Sequence, residues 1–222
     1  MEPDGRTVVY TKGRSGDTGL AQRPADGSGE EVLIRRNAGN AYIANSWLPD
    51  GRRLAVTDTA GTFDVRLLDL DEGSIEPLLA DAGTAEYAPA FSPDGRFLAY
   101  TSTETGVDEV FVETFPAGGG KWQVSNSGAC PVWSRDGREL FYTADEAIMA
   151  VEVDTNGVLR PGTPRRLFGG PYELRTMPLR NYDVGPDGRF ALIKRRFVSA
   201  TPREIVVLSG WMGLDPSLEP AR

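Results

Sequence analysis

One turn, repeated along the chain, limits what this sequence can fold into more than any other feature. PDGR occurs at 3–6, 49–52, 93–96 and 186–189, and RDGR at 135–138. Counted from Asp4, Asp50, Asp94, Asp136 and Asp187, the copies lie 46, 44, 42 and 51 residues apart. In such a turn Pro presets φ, Asp hydrogen-bonds its own backbone, and Gly accepts the positive φ that closes a hairpin. The five aspartates and their partners Gly5, Gly51, Gly95, Gly137 and Gly188 are therefore read as structural turn residues. A period of about 40 to 50 residues, with strands inside each unit, is the spacing of propeller blades.

The flanks agree with that period. Two residues before the complete turns stand Trp47, Phe91, Trp133 and Val184, each expected to end an inner strand at an equivalent core position. After the turns come RTVVYT, RRLAVT, RFLAYT, RELFYT and RFALIK. In the third copy Leu98 and Tyr100 point one way and Phe97 and Ala99 the other. A strand apolar on both faces must be covered on both sides, as in radially stacked blades. Third and fourth strands are predicted at 64–70 and 74–79, at 109–115 and 121–125, and at 147–153 and 165–168. No helix-period segment competes with them. The predicted fold is all-β: four-stranded antiparallel blades in one domain over 1–222, as five repeats or as five blades of a six-bladed ring. The first blade lacks an inner strand of its own, so association through unclosed strand edges is expected.

Composition narrows the function. The net charge of −8 argues against a nucleic-acid surface, which needs clustered Lys and Arg. The chain has no histidine, which excludes a Ser-His-Asp triad, a Cys-His pair and any imidazole zinc site within it. Cys130 is the one cysteine, so no intrachain disulfide forms; it reads as a small buried apolar residue. No signal peptide or long apolar run is present, so this chain is expected to be soluble and not to insert into a membrane; the compartment is left open.

The repeat resembles the TolB-type, WD-repeat-like propeller motif of bacteria. The run from YAPAFSPDGRFLAYTS through ACPVWSRDGRELFYTADEAIMAVEV (residues 87–153), with NYDVGPDGRFALIK at 181–194 and REIVVLSGW at 203–211, is similar to the propeller that follows many bacterial eukaryotic-type Ser/Thr kinases. That resemblance covers nearly the whole chain and implies a non-catalytic interaction or sensing module, the C-terminal part of a larger signalling or TolB-like protein. No kinase motif occurs in this chain.

Apparent chemical motifs have simpler readings. AGGGKW at 117–122 has Trp122 where a phosphate loop needs Ser or Thr, so it reads as a hairpin turn. LDLDEG at 68–73 has Gly73 where a calcium loop needs a third acid or amide. Trp122 and Trp211 read as core rather than as ligand platforms. No enzyme activity, metal or cofactor is expected. A protein or small-molecule ligand is expected at one mouth of the central channel, with Asn45, Tyr87, Asn126 and Asn181 as candidate lining residues. Two alternatives are the gating propeller of a prolyl-oligopeptidase-like peptidase and a small propeller enzyme of lactonase or lyase type.

Overall fold

The computed structural model describes residues 3–13, 19–36, 41–174, 178–194 and 204–208, the last of these by backbone alone. Within them lie nineteen strands and no helix. None of the described residues forms a helix long and apolar enough to cross a membrane.

Five antiparallel sheets follow one another along the chain. The first holds β1 (Thr7–Lys12), β2 (Gly19–Pro24) and β3 (Val32–Arg36). The second holds β4 (Tyr42–Trp47), β5 (Arg53–Asp58), β6 (Asp64–Asp69) and β7 (Ile75–Leu79). The third holds β8 (Glu86–Phe91), β9 (Phe97–Ser102), β10 (Glu109–Thr114) and β11 (Lys121–Gln123). In the fourth are β12 (Ala129–Trp133), β13 (Glu139–Ala144), β14 (Ala147–Asp154), β15 (Arg160–Pro161) and β16 (Arg165–Gly169), the last two sharing one edge of β14. The fifth holds β17 (Tyr182–Val184), β18 (Phe190–Lys194) and β19 (Glu204–Leu208). The uniform four-stranded blade expected from the repeats thus holds for the second and third sheets. Among the described residues the first and fifth have three strands, and the fourth has the expected four with the short β15 added in the long connection after β14. Trp211 lies outside the described residues.

Every turn closes by the same chemistry. The Asp carboxylate accepts the backbone N–H two residues on, at 2.8–3.2 Å in all five copies. Each glycine sits at a φ between 70° and 75°. Consecutive turns also lie against one another. A Cβ on Gly95 would come within 3.1 Å of the Pro49 ring, and one on Gly137 within 3.5 Å of Pro93.

The core is a set of layers between sheets. Leu98 and Tyr100 pack toward the second sheet with Leu48, Ala55 and Val65. Phe97 and Ala99, on the other face of β9, pack toward the fourth with Leu140, Tyr142 and Val151. Val9, Leu20, Leu54 and Val56 join the first two sheets; Phe141, Ile148, Phe190 and Leu192 join the last two. A buried Phe such as Phe141 contributes about 3–5 kcal/mol against alanine, so these layers dominate stability.

Hydroxyls tie the layers together. The amide of Ala88 donates to Thr57 Oγ1 at 3.2 Å, and that of Cys130 to Thr101 Oγ1 at 2.9 Å. Ala44 N–H makes the same contact with Thr11 Oγ1 at 3.4 Å. In each case the second strand of one repeat satisfies a backbone donor on the inner strand of the next.

A candidate ligand site at the turn end of the channel

The inner strands β4, β8, β12 and β17 all lead into turns, so they all end at one side of the molecule. Their last residues, Trp47, Phe91, Trp133 and Val184, surround a cavity of about 410 Å³. Phe91 and Trp133 belong to the buried core layers and Trp47 and Val184 pack against them, as expected of equivalent core positions, and the same four residues also wall this cavity. One wall is fixed by the Trp133 indole, whose Nε1–H donates to the Ala90 carbonyl at 3.0 Å, locking β12 to β8. Asn45 also lines the cavity and accepts from Thr57 Oγ1 at 2.8 Å.

The inner strands reach this geometry by bulging. Their register slips between Ala44 and Ser46, between Tyr87 and Ala90, and between Ala129 and Val132. Ala88 and Cys130 take φ values of 51° and 59°, in a region that non-glycine residues visit rarely. Bulges re-aim side chains and tighten twist, here on β4, β8 and β12. The Cys130 carbonyl is held in turn by the Tyr182 hydroxyl, which donates at 2.7 Å; burial pushes that phenol's pKa well above its usual range.

Three ionisable side chains line the cavity among the described residues: Arg135, Arg180 and Asp183. The Arg180 side chain is 20% exposed, and its nearest acid is Asp183 at 3.9 Å. At the rim the turn aspartates are committed to their own loops. The Ser134 hydroxyl and the Arg138 amide hold the Asp136 carboxyl below the usual carboxylate range, and the Arg189 amide and guanidinium do the same for Asp187.

A second cavity, of about 500 Å³, opens at the opposite end. Val107, Asp108, Gly128, Asp145 and Glu146 contribute to it, together with Tyr172. Among the described residues no three His, Cys, Asp or Glu side chains gather so as to hold a metal ion.

The four residues proposed from sequence as channel lining are not brought together. Asn45 lines the turn-end cavity. Asn181 borders a separate recess of about 290 Å³ beside β17 and β18. Asn126 is exposed in the segment before β12, at the other end of that strand. Tyr87 is fully buried, because the bulge at Ala88 turns its ring into the layer between sheets. Cys130 is buried, as expected of a small apolar residue. AGGGKW is the β10–β11 hairpin, closed by Thr114 N–H to the Gly120 carbonyl at 3.1 Å. Asp69 serves Arg52 rather than a cation, and that guanidinium holds its carboxyl down at about 2.

Two features escaped the sequence reading. Arg135 was visible as the residue that breaks the PDGR pattern. The hydroxyl ties were visible as Thr11, Thr57 and Thr101, each five residues after the turn arginine; Thr143 holds the same place but donates to the Ala129 carbonyl of its own sheet at 3.0 Å.

No protein-family model matches the sequence, and no curated protein matches it at a significant level. Solved structures do match the fold. TolB from Acinetobacter baumannii superposes with a TM-score of 0.71 at 18% identity, over 93% of this chain and 50% of that one. A putative TolB from Agrobacterium tumefaciens gives 0.59 at 22% identity, over 76% and 63%. Puromycin hydrolase gives 0.58 at 18% identity, over 94% and 35%. Sheets, layers and neighbours together define a β-propeller of antiparallel blades. Within that class the fold is TolB-like, and the chain spans half to two thirds of the length of the TolB proteins it resembles.

Proposed function

We propose that this chain is a non-catalytic interaction or sensing module that takes its ligand at the turn end of the channel. The observation that carries this reading is the convergence of four inner-strand ends on one cavity of about 410 Å³, walled by indole and phenyl rings and bordered by an amide and two guanidiniums. Few, convergent polar groups on an apolar concavity are the usual chemistry of a ligand site. Among the described lining residues no side-chain hydrogen bond pairs a serine with a base, which favours recognition without turnover.

The test is a screen of uncharged, cationic and anionic fragments and dipeptides against protein labelled with 5-fluorotryptophan. Ligands of the site shift the ¹⁹F signals of Trp47 and Trp133. If every binder acts instead at the Val107–Asp108 end, or if a fragment is chemically converted, the reading fails.

A further inference from the structure

Four of the five turns begin with Pro3, Pro49, Pro93 or Pro186, and the fourth copy in the chain has Arg135 instead. That substitution gives up the preset φ of the turn. It places a guanidinium on the wall of the turn-end cavity, where it has no hydrogen bond or ion pair among the described residues. Arg180 lines the same cavity. Its side chain is four-fifths buried, it has no hydrogen bond among the described residues, and its one acid stands 3.9 Å away and is itself 66% exposed. A buried guanidinium without acceptors is costly, and its planar fork is shaped for a carboxylate. Of the described lining residues only Asp183 opposes the two arginines, which leaves one net positive charge on the walls of a chain whose net charge is −8.

We propose that the turn-end cavity is a receptor for a single carboxylate carried on an aromatic or large apolar group. Arg180 anchors the carboxylate, Arg135 supplies a second donor at the rim, and the rings of Trp47, Phe91 and Trp133 cover the apolar body. One negative charge neutralises the walls; a phosphate dianion would leave them negative. The inference rests on the channel reading above and deepens it. The carboxylate can belong to a free small acid or to the last residue of a peptide, and both present the same group.

The test compares N-acetylphenylalanine with its neutral isostere N-acetylphenylalaninamide, by calorimetry and by the ¹⁹F signals of Trp47 and Trp133. The acid should bind at least about tenfold more tightly, the scale of one charge-assisted hydrogen-bonded pair, and should weaken with salt while the amide does not. Arg180→Gln should abolish the preference and Arg180→Lys should keep part of it. Arg135→Pro, which restores the sequence of the other turns and so should fold, should reduce it severalfold. Equal binding of acid and amide at the tryptophans overturns the carboxylate proposal and leaves the channel reading intact. Binding of neither also overturns it. A response confined to the opposite end overturns both. With the acid bound, N-acetyl-Gly-Gly-Gly-Phe distinguishes the sources: equal affinity assigns the carboxylate to a peptide C-terminus, and a loss beyond tenfold to a free acid.

Discussion

The Cys130 amide donates to Thr101 Oγ1 across the boundary between two sheets, at 2.9 Å and out of contact with water. Thr101→Val keeps the shape and removes the acceptor, leaving a buried N–H unsatisfied. The expected loss is about 1–3 kcal/mol. Thr101→Ser keeps the hydroxyl and loses only a methyl group, so it should be milder. Urea midpoints of the two variants decide the matter: a Val variant as stable as the Ser variant would remove the hydroxyl tie from the account of stability.

Ala88 occupies the equivalent place one repeat earlier, at a φ of 51°. A β-branched side chain tolerates that region badly. Ala88→Val should therefore destabilise by about 1–3 kcal/mol from backbone strain, with overpacking added because the site is buried. Ala88→Gly relieves the strain at the loss of one methyl and should fall within about 1 kcal/mol of the parent. Thermal unfolding that ranked Gly below Val would contradict the strained geometry.

Glu86 begins β8 almost wholly buried, with Oε2 lacking a hydrogen-bond partner among the described residues. Burial raises its pKa above the ordinary 4.5, while the Thr84 hydroxyl pulls the other way. With the folded value above the unfolded one, the charged form weakens the fold. The penalty is absent below about pH 4.5 and grows as pH rises through the folded value. Glu86→Gln cannot ionise. Its stability relative to the parent should improve from about pH 4.5 and level off once pH passes the folded value, by chemical denaturation at several pH values. A difference independent of pH would mean that Glu86 titrates normally.

Arg135→Pro bears on stability as well as on binding. The Arg135 amide makes no hydrogen bond among the described residues, and proline stands at this place in the other four turns. The substitution should stabilise by about 0.4–1 kcal/mol through the unfolded chain. A melting temperature at or below the parent's would show that this turn does not share the backbone of its neighbours.

Local features were the legible ones. Turn positions and the ends of β4, β8, β12 and β17 could be placed to the residue, because a PDG turn dictates its own geometry within four residues. The two faces of β9 were equally plain, since alternation maps directly onto two packed layers. The channel lining was not legible for Tyr87, whose ring direction depends on a bulge that no spacing announces. Nor was it legible for Arg180, which lies between strands and outside the repeated motif. Trp47 and Trp133 were expected in the core and do pack there; the space that the four strand ends leave between them is what no spacing announced.

The hydroxyl ties have a consequence for how such a chain lengthens. At the first three junctions each repeat offers a threonine hydroxyl to a backbone N–H of the next. A unit copied or lost among these therefore leaves a joint that still fits, and blade number can drift there during evolution without the junction being redesigned.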